Sequence, residues 1–424
     1  MVPWHILKDR GRFMVPTHYL TVDDDGNLIV PKELAGRYGL TPGASVPVIA
    51  GEQTLFVQRP ISHLNRIYVE PTNRCNFDCA TCLRNAWHED AGNMSDTVFD
   101  RVLETVRALD PPPEVFFGGF GEPTFHPRIV EMIAALHREG ARTLIITNGS
   151  LLSTELAEQF VGAGLDEIWI SLDGASPESF ADVRLGQELP QILDNMRELS
   201  RVKLSHNSST PVMGVAFVAM KRNARDLPEV IKMAVARGAH KISVSNLLPY
   251  TKTHSEEYLY PATMSRFPGS PVTVYLPRME INDYTQQAMV DVLRKNYQLS
   301  IAGVEVLTPS DRCQFISRGS TTVRWDGTVV PCPPLLHTHT GFLDKRPCTV
   351  HEHPVGSLRD SSLLDIWNGR EYADLRGRVQ RFEFSPCTIC NGCELPESNL
   401  EDCFGSAQPT CGGCLWAQGF IQCP

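Results

Sequence analysis

The chain has 424 residues, 42% of them hydrophobic, which is enough material for roughly two or three folded domains. Its net charge of −10 argues against a nucleic acid as the main partner, because binding a phosphate backbone requires clustered lysine and arginine. The sequence has no run of about 18 uncharged apolar residues and no signal-peptide pattern at its start, so we expect a cytoplasmic protein without a membrane span.

Residues 1–60 are predicted to form a small β module. Short strand-like stretches are separated by turns at Asp25–Gly26, Pro42–Gly43 and Ala50–Gly51, with one brief helix near residues 32–38. The stretch "DGNLIVPKELAGRYGLTPG" resembles the swapped-hairpin domain of AbrB-like and MazE-like transcription factors, many of which bind DNA as dimers. Within residues 19–60, Asp23, Asp24, Asp25, Glu33 and Glu52 outnumber Lys32, Arg37 and Arg59, so we expect the module to serve docking or structure rather than DNA binding.

Residues 61–255 alternate apolar strands with amphipathic helices, which is the pattern of an α/β fold with a parallel sheet. Six strands predict a partial (β/α)6 barrel of the TIM type, whose ligand site lies where the carboxyl ends of the strands meet. Residues 256–310, with a helix near 282–296, are expected to complete the barrel and link it to a cysteine-rich domain over residues 311–424. The predicted strands are "RIYVE", "EVFFGGF", "TLIITN", "EIWISLD", "VMGVAFVAM" and "KISVSNLLP".

The 13 cysteines fall into two groups, three between Cys75 and Cys82 and ten between Cys313 and Cys423. In a long cytosolic chain, such spacing indicates metal or cluster binding rather than disulfides. Three thiolates in a C-x3-C-x2-C motif can hold three irons of a 4Fe-4S cluster and leave the fourth iron open to a ligand. Zinc is the alternative, since His88 would complete a Cys3His set.

The C-x3-C-x2-C motif of Cys75, Cys79 and Cys82 directly follows the first barrel strand and resembles that of the radical S-adenosylmethionine (SAM) superfamily. The resemblance implies that SAM binds the open iron through its amino and carboxylate groups. It also implies that one electron from the reduced cluster cleaves SAM to methionine and a 5'-deoxyadenosyl radical, which abstracts hydrogen from the substrate. These three cysteines are therefore the expected catalytic ligands.

Stretches at three later strand ends are similar to other motifs of the same superfamily. "GGFGEP" corresponds to its Gly-Gly-Glu motif, in which the backbone and an acid, here Glu122, hold the methionine ammonium group. "TNG" and "SLDG" end the third and fourth strands, where relatives contact the ribose or carboxylate of SAM. Arg184 is expected to pair with the SAM carboxylate, with an ordinary surface arginine as the alternative. The residues expected to bind SAM are Phe77, Gly119, Gly121, Glu122, Thr147, Asn148, Ser171, Asp173, Arg184 and Asn223.

The C-terminal region resembles the SPASM domain, an extension of radical SAM enzymes that binds two auxiliary 4Fe-4S clusters. Cys313, and then "WDGTVVPC" with four residues between Gly327 and Cys332, match the opening of that domain, and "VGSLRDSSLLDIWNGREYADLRGRV" resembles its connecting helix. Ten cysteines exceed the eight that two clusters need, and Cys348 is the first candidate to be spare. Three clusters are thus expected in all, with auxiliary ligands among Cys313, Cys332, Cys387, Cys390, Cys393, Cys403, Cys411, Cys414 and Cys423.

The whole arrangement, including "EPTNRCNFDCATCLRN", "GGFGEPTFHP" and "PTCGGCLWAQGFIQCP", resembles the radical SAM maturases associated with tungsten-cofactor oxidoreductases. This resemblance implies an enzyme that acts on a tungsten oxidoreductase or its cofactor, supplied by a low-potential electron donor such as ferredoxin or flavodoxin. Two alternatives are open. One is a radical SAM enzyme that forms thioether or carbon–carbon links in a ribosomal precursor peptide, and the other is a non-catalytic iron–sulfur or zinc protein that contacts DNA.

Overall fold

A computed structural model gives the structure of two compact units, Met1–His63 and Leu64–Pro424. None of the helices among the described residues is long and apolar enough to cross a membrane. The residues that the structure describes are 19–50, 55–57, 59–87, 89–179, 188–260, 273–276, 282, 284–285, 298–301, 304–306, 313–343, 346–385 and 394–423.

The described residues of the first unit form two short hairpins and one helix. Strand β1 (Thr21–Val22) pairs antiparallel with β2 (Leu28–Ile29), and β3 (Val48–Ala50) pairs antiparallel with β4 (Leu55–Val57). Helix α1 (Lys32–Arg37) lies between the hairpins in sequence, and none of its residues is buried. The resemblance of this unit to a swapped-hairpin domain stays a prediction.

The second unit is built on a parallel sheet, and all six strands predicted from the sequence are present in it. Helix α2 shows how the sequence determines the layers, because Ser95 caps its first turn and Val98, Val102 and Val106 form a buried stripe against the sheet. The six strands are β5 (Arg66–Val69), β6 (Glu114–Phe117), β7 (Thr143–Thr147), β8 (Glu167–Ser171), β9 (Val212–Ala219) and β10 (Lys241–Asn246). The helices are α2 (Asp96–Ala108), α3 (Ile129–Arg138), α4 (Thr154–Ala163), α5 (Leu189–Ser205) and α6 (Leu227–Val235).

The sheet continues from the barrel into the C-terminal region. Within the described residues its order is β10-β9-β8-β7-β6-β5-β14-β15-β18, and β14 runs parallel to β5. Strands β11, β12 and β13 form a separate sheet, and the helix predicted near residues 282–296 lies almost wholly outside the described residues. The strands of this region are β11 (Thr273–Leu276), β12 (Gln298–Ile301), β13 (Val304–Val306), β14 (Ser320–Val323), β15 (Thr328–Val330), β16 (His339–Leu343), β17 (Arg346–Val350) and β18 (Gly356–Ser357).

The region that resembles a connecting helix contains two helices, which follow the short helix α7 (Gln314–Ser317) in the chain. Helix α8 (Leu363–Asn368) ends at Gly369, whose ψ of 139° is extended, and α9 (Arg370–Arg381) begins directly after it. The apolar residues of these two helices pack into the core, since Leu363, Ile366, Trp367 and Leu375 are buried and Leu364 is half-buried.

Candidate functional site

The cysteine loop (residues 70–82) follows β5 and carries Cys75, Cys79 and Cys82, all of them half-buried. The backbone N–H of Phe77 donates to Cys75 Sγ at 3.3 Å, and Arg84 Nη2 donates to the Phe77 carbonyl at 2.6 Å. Burial raises the pKa of Cys75, although the N–H of Phe77 favours the thiolate. Hydrogen bonds within the loop and from the neighbouring Arg84 thus contribute to the shape of the loop.

A glycine turn (residues 118–122) packs directly on the cysteine loop. A Cβ atom on Gly121 would lie 2.1 Å from the carbonyl oxygen of Thr72, and one on Gly119 would lie 2.6 Å from Cγ of Glu70. Gly119 also has a φ of +110°, which disfavours any other residue. These two glycines are therefore required for the close approach of the turn to the loop.

Glu122 connects the end of β6 to the end of β7. Its Oε1 accepts from Thr124 N and Thr124 Oγ1 and also from Thr147 Oγ1, at 3.0, 2.6 and 2.8 Å, and its Oε2 accepts from Asn148 N at 2.7 Å. Burial raises the pKa of Glu122, and these hydrogen bonds oppose that rise. Among the described contacts Oε2 accepts one hydrogen bond, so it retains a lone pair for a ligand donor.

Asn148 joins this carboxylate to the cysteines. Its Nδ2 lies 3.9 Å from Cys75 Sγ and 3.0 Å from Asn76 Oδ1. Five of the residues predicted to bind SAM, those of the glycine turn and the "TNG" stretch, therefore lie beside the cysteine loop at the carboxyl ends of β5, β6 and β7: Gly119, Gly121, Glu122, Thr147 and Asn148.

Ser171, Asp173 and Asn223 lie further along the same edge, at the ends of β8 and β9. Asp173 Oδ1 accepts from the backbone N–H of Val218 at 2.7 Å, and burial raises the pKa of Asp173 to about 6. Asn223 is buried and uses its side chain inside the fold: Nδ2 donates to the Asp173 carbonyl at 2.7 Å, and Oδ1 accepts from Met220 N at 2.7 Å. Asn223 thus shapes this turn.

Five side chains that the sequence analysis weighed as site residues lie outside the described residues: Arg184, His88, Cys387, Cys390 and Cys393. In the part of the chain that the structure describes, no three His, Cys, Asp or Glu side chains converge as ligands of a single ion do. A 4Fe-4S cluster places its thiolates on different irons and so requires a wider spacing.

The C-terminal cysteines surround a cavity of about 160 Å³ next to the end of β10. Burial raises the pKa of Cys313 to about 12 and that of Cys332 well above its usual value. Buried thiols of this kind ionise only when a cation compensates the charge, and sulfur ligands in an apolar pocket suit iron–sulfur clusters. The cysteines that line the cavity are Cys313, Cys332, Cys348, Cys403, Cys411 and Cys414.

Cys348 and Cys423 have other surroundings as well. The Cys348 thiol donates to the Pro396 carbonyl at 3.3 Å from strand β17. Cys423 packs against the aromatic cluster on the sheet, which includes Tyr68 and Phe315. Whether either thiol binds a cluster stays a prediction.

Three charged residues in or beside the cysteine loop are absent from the predictions made from the sequence: His337 and Glu70, which are buried, and Glu89, which is exposed. His337 is fully buried, with Nε2 at 3.3 Å from both carboxylate oxygens of Glu70 and Nδ1 at 2.7 Å from Oε2 of Glu89. Glu70 stands in the stretch "EPTNRC", but His337 is 267 positions away from it, so no local pattern could connect them.

Residues 69–234 match the radical SAM superfamily, and residues 313–394 match the SPASM iron–sulfur cluster-binding domain. The chain carries a radical SAM domain. It is a radical SAM enzyme with a C-terminal SPASM domain, and its cofactors are SAM and iron–sulfur clusters. The fold and superfamily predicted from the sequence are thereby confirmed.

Several known proteins are similar to this radical SAM enzyme over most of their length. The tungsten-containing aldehyde ferredoxin oxidoreductase cofactor-modifying protein of Pyrococcus furiosus is 28% identical over 368 residues, which cover 84% of this chain and 96% of the relative. The PqqA peptide cyclase of Rhodopseudomonas palustris is 25% identical over 354 residues, with coverage of 81% and 86%. The crystal structure of Streptococcus suis SuiB bound to precursor peptide SuiA is 17% identical, with a TM-score of 0.47 and coverage of 74% and 67%.

Proposed function

We propose that this radical SAM enzyme matures a tungsten-dependent oxidoreductase, acting on its cofactor or on its polypeptide. One observation carries the proposal: the similarity to the Pyrococcus furiosus cofactor-modifying protein extends over 96% of that relative. That alignment, 28% identical over 368 residues, is longer and more identical than the 25% over 354 residues to the PqqA peptide cyclase, so it favours a substrate related to that of the first relative.

The residues at the carboxyl edge of the sheet have distinct parts in this proposal. Cys75, Cys79 and Cys82 hold the cluster that binds SAM. The cluster and SAM together supply a 5'-deoxyadenosyl radical for hydrogen abstraction. Glu122 Oε2 accepts a hydrogen bond from the ammonium group of SAM, and Asp173 accepts one from another polar group of the same ligand. The bonds from Thr147 and Asn148 fix the Glu122 carboxylate, so the acid does not reorganise when SAM binds.

The cysteine-rich region holds two auxiliary 4Fe-4S clusters in this proposal, which gives three in the chain. Both clusters are fully ligated by cysteine, with Cys348 dispensable, and they relay electrons. The donor is a low-potential ferredoxin or flavodoxin in the cytoplasm, where thiols remain reduced. Residues 1–60 dock the partner, so their deletion leaves SAM cleavage intact and abolishes turnover of the partner.

The test is a capture experiment from anaerobic native cytoplasm with the complete holoenzyme as bait. We expect enrichment of a tungsten oxidoreductase. We also expect SAM-dependent formation of 5'-deoxyadenosine to rise when that oxidoreductase, purified in its immature form, is added. A captured oxidoreductase that leaves this rate unchanged would contradict the proposal.

A peptide-modifying activity is the second candidate. It is favoured by the 25% identity to the PqqA peptide cyclase over 81% of this chain. Recovery of a short precursor peptide in the same capture experiment, with a new thioether or carbon–carbon link after turnover, would establish this alternative instead.

A further inference from the structure

His337 lies between two carboxylates that belong to another part of the chain. A neutral imidazole carries one N–H, yet both ring nitrogens of His337 are within hydrogen-bond distance of a carboxylate oxygen, from Glu70 on one side and Glu89 on the other. Burial opposes a charged ring, but the hydrogen bonds and charges of the two carboxylates outweigh it and raise the pKa of His337 to about 9. The ring is therefore an imidazolium in a double ion pair.

Glu70 connects His337 to both the cysteine loop and the glycine turn. It is the first residue of the cysteine loop, and its Oε1 accepts from the backbone N–H of Phe120 at 3.1 Å. The carbonyl of Phe120 in turn lies 4.0 Å from Cys82 Sγ. One residue, Phe120, thus separates the Glu70 carboxylate from an expected cluster ligand.

Glu89 begins the brace segment (residues 89–93), which supports the cysteine loop from the other side. Gly92 N donates to Asn73 Oδ1 at 2.7 Å, and Thr72 Oγ1 donates to Gly92 O at 2.7 Å. Trp325, like His337 a SPASM residue, occupies the space where a Cβ atom on Gly92 would lie, 2.1 Å from the nearest ring atom. Two side chains of the SPASM domain therefore hold the segment that shapes the loop.

We propose that His337 is a positioning residue through which the SPASM domain fixes the cysteine loop in the geometry that binds the cluster. Through Glu70, His337 holds the end of β5 and the glycine turn in position, and through Glu89 it holds the brace segment in position. The inference rests on the proposed role of Cys75, Cys79 and Cys82 as cluster ligands.

The test compares His337→Gln with the unchanged chain, both complete and reconstituted with clusters. We expect backbone hydrogen exchange over residues 71–93 and 118–122 to be at least tenfold faster in the variant, with no change in β10. Adding Glu70→Gln should restore slow exchange, because a glutamine can still accept from Phe120 N and no longer leaves an unpaired buried charge. His353→Gln is the matched control, since His353 is a half-buried SPASM histidine without a carboxylate contact among the described residues.

Unchanged exchange in His337→Gln, or no restoration by Glu70→Gln, would overturn the inference. If His337→Gln fails to fold, Glu89→Gln tests the same bridge from its 29% exposed end and should give the same local increase in exchange. Iron analysis of the unchanged chain distinguishes an error in the cluster assignment from an error in the role of His337. If Cys75, Cys79 and Cys82 do not bind a cluster, iron is missing, whereas if only the role of His337 is wrong, the iron is in place.

Discussion

The cysteine loop and the cysteine-lined cavity bring thiols together in different ways. In the loop, three thiols within eight residues are arranged by the hydrogen bonds of Phe77 and Arg84. In the cavity, Cys313 and Cys332 meet Cys411 and Cys414 from a distant part of the chain. The expected ligands of the first site are close together in the sequence, whereas those of the second come together only when distant parts of the C-terminal region have folded. Substitutions in the loop should therefore abolish SAM cleavage, whereas substitutions in the cavity should remove only the auxiliary site.

The largest effect is expected from Cys79→Ala in the loop. This change should abolish formation of 5'-deoxyadenosine from SAM and remove about four irons per chain, because one cluster loses a ligand. Chromatography of the nucleoside and iron analysis measure both results. Stoichiometric zinc with almost no iron in the unchanged chain would instead favour a zinc site.

Cys332→Ala should have a large effect restricted to the cavity. We expect the loss of about four irons, retention of slow SAM cleavage, and loss of turnover with the physiological partner. The matched control is Cys348→Ala on the same cavity wall, which should retain all the iron. If both variants lose the same amount, Cys348 is a ligand and not a spare thiol.

An intermediate effect is expected at the carboxyl edge of the sheet. Glu122→Ala and Asp173→Ala should each weaken SAM binding by about ten- to one hundredfold, since losing one charge-assisted hydrogen bond costs roughly 1.5 to 3 kcal/mol. Iron content should not change. Thr124→Val removes a hydroxyl donor to Glu122 but keeps the carboxylate, so it should bind SAM nearly as well as the unchanged chain. Equal affinities in all four proteins would show that neither acid contacts SAM.

The smallest effect is expected from the pH dependence of the ion pairs that His337 forms with Glu70 and Glu89. The pKa of His337 is raised from 6.5 to about 9, so its stabilisation is fully present below pH 6.5 and is lost as the pH rises through 9. The groups that face the ring or its partners are Glu70, Glu89 and Arg324. The unfolding midpoint should therefore fall more between pH 6.5 and 9 in the unchanged chain than in His337→Gln, by a few degrees. Parallel pH profiles would contradict this.

The local features of the site could be predicted well from the sequence. Each strand end carries its polar residues within a few positions of an apolar run, and the resemblance of "GGFGEP" and "TNG" to superfamily motifs pointed to Glu122, Thr147 and Asn148, which lie beside the cysteines. The glycines of "GGFGEP" were also identified, although their close packing on the cysteine loop was not. Periodicity and spacing describe one element and its immediate end, and these features require nothing more.

Contacts between residues far apart in the sequence could not be predicted from local sequence patterns. His337 pairs with Glu70 across 267 positions, and β14 joins the barrel sheet beside its first strand. Asn223 is predicted from the sequence to bind the ligand, but its side-chain amide donates to the carbonyls of Asp173 and Val218 and so closes a turn. These partners depend on the tertiary fold and not on the local sequence. The resemblance predicts one connecting helix, whereas the chain forms α8 and α9, which are separated at Gly369.

The pairing of β14 with β5 has a consequence for how the protein is made. Strand β5 emerges early from the ribosome, but its second neighbour is encoded about 250 residues later. At a synthesis rate of roughly 5 to 20 residues per second, one edge of β5 stays unpaired for about 10 to 50 s. During that time the nascent chain exposes an apolar strand edge that invites aggregation. We therefore expect the cysteine loop to receive iron and sulfide only after translation has ended, and chaperone demand to be highest before that point.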